Sequence, residues 1–336
     1  MIGTTGNGRI TMTKPGRLLA AMVICLSAAA IGTASAQQWQ PSRPVTLVVP
    51  FPAGGGNDAL ARLVAERMSK TLGQQVVVEN RGGAGGTVAT RAIAKSPPDG
   101  HTILLSYTGT FAINPTLYPN AGYDPRKDFV AIGTIGTLTS VLVSHPSLPV
   151  KSTGELIDYA KKHPGKINYG FVPGTVGHIS TEMFARSANI KLTNIPYKGN
   201  GNAIADLMGG HVTMMFISIL PVIGQIQAGT LNALAVASPA RSSLLPKVPT
   251  IAESGMPGFS AVITYGLAAP SGTSRPIVER LNKELQVALA DATLRKRLDA
   301  DGGTVLPGTP ADYAKTIDDE EKKWGPLVKS LSLKMD

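Results

Sequence analysis

Apolar positions along the chain alternate between two periods. Val45-Thr46-Leu47-Val48-Val49, rich in β-branched residues and held between Pro44 and Pro50, predicts a buried strand. Leu60, Leu63, Val64, Met68 and Leu72 then recur at helical spacing, with Arg62, Glu66 and Arg67 on other faces and Gly73 marking the end. Gln75 to Glu79 reads as a second strand, the stretch from Thr87 to Lys95 as a helix, Pro97-Pro98-Asp99-Gly100 as a turn, and His101 to Leu105 as a third strand. A β-α-β-α-β order implies a parallel sheet with helices on its faces and a ligand crevice beyond the carboxyl ends of the strands. Pro50, Asn80 and Ser106 each open one of those carboxyl-end loops, so the three loops are expected to converge.

The first loop, Pro50-Phe51-Pro52-Ala53-Gly54-Gly55-Gly56-Asn57-Asp58, carries three adjacent glycines into a helix for which Asn57 or Asp58 is the expected N-cap. Little side chain stands in the way of a ligand there, and the unpaired N–H groups of a first helical turn suit a carboxylate or a phosphate. The second loop, Asn80-Arg81-Gly82-Gly83-Ala84-Gly85-Gly86, is no dinucleotide fingerprint, because Val88 stands where a third small residue is needed.

Phe129 to Ser144 is apolar and strand-like and marks the passage into a second lobe. There Leu156 to Lys162 predicts a helix, Ile167 to Gly170 a strand, and Val172-Pro173-Gly174-Thr175-Val176-Gly177-His178 another small-residue turn before the helical face of Ile179, Met183 and Phe184. Ala203 to Met208 is a helix, Val212 to Phe216 and Leu231 to Val236 are strands, and Val262 to Ala268 returns to the first lobe. Two amphipathic helices follow, on Val278, Leu281, Leu285 and Leu289 and on Tyr313, Ile317, Trp324 and Leu327.

Composition adds a compartment. Arg9, Lys14 and Arg17 precede the apolar run Leu18 to Ile31, and Ala34-Ser35-Ala36 offers small residues for cleavage before Gln37, so residues 1–36 read as a secretory signal peptide. Cys25 is the sole cysteine and lies inside that run, behind Met22-Val23-Ile24, which do not fit a lipid-modified cysteine. An exported chain left without disulfides must rest on its core, and 336 residues suffice for one. The net charge of +10 falls to +7 without the leader's three basic residues. Nucleic acid is not an expected partner, since Lys161-Lys162 and Lys322-Lys323 lack interleaved aromatics.

Reactive chemistry is thin. His101, His145, His163, His178 and His211 show no metal-ligand spacing, and neither a G-x-S-x-G elbow nor a P-loop occurs. His178 beside Thr175 is the one place for a nucleophile and a base, and a histidine that bonds the loop backbone explains it better. No cofactor and no metal are expected. These are the features of a binder.

Several motifs occur in order: Val49-Pro50-Phe51-Pro52-Ala53-Gly54-Gly55, Val78-Glu79-Asn80-Arg81, Gly83-Ala84-Gly85-Gly86, Pro98-Asp99-Gly100, Ala112-Ile113-Asn114-Pro115, Tyr123-Asp124-Pro125, Pro196-Tyr197-Lys198-Gly199 and Pro249-Thr250-Ile251-Ala252-Glu253. Together they closely resemble the Bug family, the extracytoplasmic substrate-binding proteins of tripartite tricarboxylate transporters. The resemblance implies an α/β, type II-like, Venus-flytrap clamshell whose lobes are mainly parallel sheets flanked by helices, with residues 37–139 and 265–336 in lobe 1 and 140–264 in lobe 2. It implies a periplasmic, monomeric receptor that binds a small carboxylate between the lobes, has no catalytic activity, and docks on the membrane subunits of a transporter.

Carried onto this sequence, the resemblance points to Phe51, Ala53 and Asn57 in the first loop and to Ser106 and Thr108 in a second. It points also to Gly174, Thr175 and His178, to Pro196, Tyr197 and Gly199, to Ser218, and to Tyr265 at the crossover. Where the family usually carries Phe-Asp-Asn, this chain has Phe216-Ile217-Ser218, so an acid that could pair with a ligand amine is absent. The expected ligand therefore has one or two carboxylates on an apolar or aromatic body. Two other readings stay open at this stage: a sensory protein presenting ligand to a membrane-bound signalling partner, and a secreted enzyme acting on a carboxylate.

Overall fold

The computed structural model describes residues 39–54, 56–300 and 303–333, with a few isolated positions near the N-terminus. The leader expected over residues 1–36, with its cleavage after Ala36, lies outside the described stretch. No helix among the described residues is long and apolar enough to cross a membrane.

Strand β1 (Val45–Val49) runs parallel to both β2 (Val76–Asn80) and β3 (Thr102–Tyr107). Flanked on both edges and covered on both faces, β1 buries four of its five residues completely, which is why it reads as an unbroken apolar run. Edge strand β2 alternates buried and open positions and leaves Val77 half exposed. Helix α1 (Gly56–Leu72) follows β1 and buries Leu60, Ala61, Val64, Ala65, Met68 and Leu72. It starts at Gly56, so Asn57 and Asp58 lie in its first turn instead of capping it. The short helix α2 (Thr87–Ile93) links β2 to β3, and a π-helical turn at Gly109–Ile113 leads into α3 (Asn114–Leu117).

Two long strands join the lobes. β4 (Phe129–Ser144) pairs antiparallel with β9 (Val262–Pro270) from Phe129 to Thr139. From Ser140 onward β4 lies instead between β7 (Met214–Ser218) and β8 (Asn232–Val236). Irregular register at Ala131/Gly133 and Thr134/Gly136 bends β4 before that change of partner. The second lobe adds α4 (Thr153–Lys162), β5 (Asn168–Phe171), α5 (Val176–Ser187), β6 (Thr193–Pro196), α6 (Asn200–Met208) and α7 (Ile223–Gln227). β5 is parallel to both β6 and β7. The sheet order is β2-β1-β3-β9-β4-β7-β5-β6. The sheets are mixed, because each crossing strand runs opposite to its neighbours while the strands that lead into helices remain parallel.

The chain closes on the first lobe with α8 (Arg275–Ala290), α9 (Ala292–Ala300), β10 (Thr304–Val305) against β4, and α10 (Pro310–Ser330). Thr309 and Asp312 form a capping box at the start of α10. Trp324 is fully buried and its indole N–H donates to Glu320 at 2.8 Å, while Glu320 also accepts from the Thr264 hydroxyl on β9. Arg186 on α5 donates to the carbonyl of Ser330, which ties the second lobe to the end of α10.

Candidate functional site

In both lobes the loops at the carboxyl ends of the parallel strands face one another. After β1, Asn80 on β2 donates from its side-chain amide to the Phe51 carbonyl at 3.2 Å, and Asp58 accepts the Gly54 N–H at 3.0 Å. Burial works against the charged form of Asp58, but Arg62, the Gly54 N–H and Asn80 outweigh it and hold its carboxyl below the usual range. The loop is thus fixed by its own lobe, with the start of α1 turned to the cleft.

Opposite it, Thr175 caps α5. Its hydroxyl accepts the His178 backbone N–H at 3.3 Å and donates to the Val172 carbonyl at 2.8 Å. Two enclosures result. An inner pocket of about 40 Å³ is lined by Asn57, Thr175, Gly177, Asn200, Ser218 and Tyr265 among others. A cleft of about 370 Å³ adjoins it, walled by Pro52, Ala53, Gly54 and Gly56 from the first lobe and by Lys198 to Asn202 from the second. Phe51, Asn57, Asn200 and Ser218 belong to both walls.

Three helix N-termini open into this space: α1 at Gly56 and Asn57, α5 at Val176 and Gly177, and α6 at Asn200 to Asn202. Each presents first-turn N–H groups and the positive end of a helix dipole. Among the described residues, no carboxylate lies in either wall. Such a surround favours an anion. The floor is aromatic, with Tyr107 edge-on to Phe51 at 5.1 Å between centroids and stacked on Tyr265 at 6.0 Å. Burial raises the phenols of both Tyr107 and Tyr265, so they stay neutral donors.

Of the residues singled out by sequence, Phe51, Ala53, Asn57, Thr175, Gly199, Ser218 and Tyr265 come together in these walls. The others stand elsewhere. Ser106 is fully buried, donates to the Gly266 carbonyl at 3.1 Å and accepts from Tyr313, because β3 turns it toward α10. Thr108 is likewise buried, its hydroxyl oxygen accepting the Thr264 N–H at 2.9 Å. His178 is 1% exposed and stacks on Phe171 at 4.3 Å, and burial pushes its imidazole down to about 4. Thr175 meets only the backbone of His178, so no nucleophile–base pair exists there. Gly174 packs on Asn114 and Tyr118 of the first lobe. Tyr197 lines a neighbouring chamber, its hydroxyl donating to Asp206 at 2.6 Å, and burial with that bond pushes the phenol up to about 12. Pro196 is exposed at the end of β6 and lines none of the three interlobe cavities.

Tyr107, Ser140, Lys198 and Asn200 are wall residues that sequence reasoning passed over. Asn200 and Lys198 flank Gly199 at a third polar turn before a helix, the same signal that marks Thr175. Nothing local marks Tyr107 or Ser140, which reach the site through strand pairing.

The model of the tripartite tricarboxylate transporter family receptor matches residues 60–333. Protein BugT of Bordetella pertussis is 37% identical over 321 residues, covering 95% of this chain and 98% of its own. Among solved structures, the periplasmic binding protein BugD superposes with a TM-score of 0.83 at 38% identity, covering 88% of this chain and all of its own. An R. palustris protein with adipate superposes at 0.84 with 36% identity, covering 88% of this chain and 99% of its own. A family model that matches most of the chain and a relative 37% identical over 95% of it show that the chain belongs to the tripartite tricarboxylate transporter receptor (TctC, or Bug) family.

Proposed function

We propose that the protein is a periplasmic receptor that captures a small carboxylate between its lobes and delivers it to the membrane subunits of a tripartite tricarboxylate-type transporter. One observation carries the reading: three helix N-termini, drawn from both lobes, converge on a cleft whose walls hold no acid. The adipate held by one structural relative supports the same ligand class. The carboxylate meets the first-lobe loop from Phe51 to Asn57, and the turn at Thr175 closes on it from the second lobe, shifting the open–closed population. Closure rests on β4 and β9 as the connecting strands. The change of β4's partners after Thr139 supports lobes of 37–139 with 265–336 and 140–264, although β9 rejoins the first sheet at Val262, slightly earlier. Export after cleavage at Ala36 and a monomeric state belong to the same proposal.

The test is to unfold the purified protein, dialyse away bound ligand, refold it, and screen carboxylates against matched amino acids by thermal shift, since binding to the native state raises its stability. Unaminated carboxylates are expected to raise Tm and their α-amino counterparts to do so less, because Ser218 offers no charge to an ammonium group. A panel in which amino acids win, or in which no carboxylate binds, overturns the reading.

A further inference from the structure

A third cavity of about 550 Å³ lies beyond the cleft, on the far side of Pro52. Its walls are the side-chain-poor loop Gly82–Gly85 of the first lobe and Tyr118, Val172, Pro173 and Tyr197, a largely apolar lining. Pro52, Val172 and Lys198 line both this chamber and the cleft, so they form the partition between the two. Lys198 lines the cleft and the chamber, and among the described residues no other charged side chain lines any of the three cavities. The nearby carboxylate of Asp206 is engaged by the Tyr197 hydroxyl. A cation stands at the doorway with no acid sharing its walls.

The inner pocket, at about 40 Å³, is much smaller than the adjoining cleft of about 370 Å³, and Phe51, Asn57, Asn200 and Ser218 line both. A ligand whose carboxylate meets the helix N-termini has this cleft to extend through, toward Pro52 and Lys198. We propose that Lys198 and the chamber behind it form a second subsite for the far end of an elongated ligand. An apolar or aromatic spacer lies against Val172, Pro173 and Tyr197, and a second acidic group is held by the Lys198 ammonium. A lysine suits this place because its flexible stem brings a point charge to ligands of different length, where a guanidinium fork would fix one geometry. The subsite rests on the carboxylate reading above and adds to it the length and second charge of the ligand.

The experiment measures Kd by calorimetry for α,ω-dicarboxylates of increasing chain length and for their monomethyl esters, on refolded wild type, Lys198→Met and Lys198→Arg. Wild-type affinity is expected to rise until the far carboxylate reaches Lys198. At that length Lys198→Met weakens the diacid about tenfold and its monoester far less, while Lys198→Arg keeps most of the diacid affinity. If the wild type binds the diacid but Lys198→Met affects diacid and monoester alike, or neither, the subsite falls and the carboxylate reading stands. If the wild type binds no member of the series, both fall.

Discussion

The Tyr265 hydroxyl donates to Asn57 Oδ1 at 2.6 Å, joining the crossing strand β9 to the first turn of α1 across 208 residues of sequence. Asn57 is thereby held by the strand that connects the lobes, so the anion-facing turn and the connection between the lobes share one bond. Tyr265 is 3% exposed and stacks on Tyr107, which positions the hydroxyl.

Tyr265→Phe removes that bond and keeps the stack. Stability is expected to fall by about 1 kcal/mol, the ordinary worth of one hydrogen bond. Ligand affinity is expected to drop several-fold, because the Asn57 amide is free to turn. Urea titration and calorimetry read the two effects, and a variant that binds as tightly as wild type would show that Asn57 needs no such restraint.

Gly85 sits where the two lobes press together. Its φ of 59° lies in the left-handed region, and a Cβ there would run into the Pro173 carbonyl of the second lobe. Tyr107 and Asn114 both donate to the Gly85 carbonyl, at 3.0 and 2.9 Å, so the loop cannot step aside cheaply. Gly85→Ala is therefore expected to fold but to close incompletely, and apparent affinity falls in proportion to the closed population. Small-angle scattering at saturating ligand should give a larger radius of gyration than for wild type. Equal radii and equal affinities would remove this contact from the closure mechanism.

Thr175→Ala loses the N-cap of α5, at a cost of about 1 kcal/mol, and a hydroxyl from the inner pocket. Thr175→Ser keeps both and is expected to restore stability and affinity together. Restored stability with affinity still lost would mean that the methyl group, and not the hydroxyl, serves the ligand.

His178 makes stability depend on pH. Its folded pKa of about 4 lies below the ordinary 6.5 because burial disfavours the imidazolium, so between those values the unfolded chain holds the extra proton. The contribution is complete above pH 6.5, shrinks as pH falls toward 4 and levels off below, to a total of about 3 kcal/mol. The urea midpoint of wild type minus that of His178→Gln, followed from pH 7.5 to 4.5, should decline through that window. A flat difference would mean that the ring takes up a proton in place.

Arg280 and Glu284 form a buried pair at 2.9 Å on α8, behind the cleft, where Arg280 also donates to the Thr71 carbonyl at the end of α1 at 3.2 Å. Glu284→Ala strands the guanidinium and should cost about 3–5 kcal/mol of stability without changing ligand affinity at low temperature. A change in affinity would link this helix pair to closure.

Periodicity alone separated the parallel units well. β1 and β3 are short, largely apolar runs because both faces are covered, and α1 and α8 show their buried stripes because only one side of each is covered. Glycine-rich turns before helices disclosed two of the three N-termini that meet in the cleft, and the family motifs named Ser218 and Tyr265. β6 escaped notice, since its four residues are exposed or half-buried and leave no apolar pattern. Ser106, Thr108 and His178 share a loop or helix start with true wall residues, and no sequence pattern tells which of two neighbours points outward.

The sequence by itself determined the order of strands and helices, the polar turns at their carboxyl ends and the scarcity of reactive groups, because those follow from local propensity and from spacing along the chain. Tertiary structure alone decided which turns meet. Tyr107, Ser140 and Tyr265 reach the cleft through pairing between β3, β4, β7 and β9, where partners stand as much as 164 residues apart (Leu104 and Ala268), and a strand's partner fixes which of its faces looks into the gap.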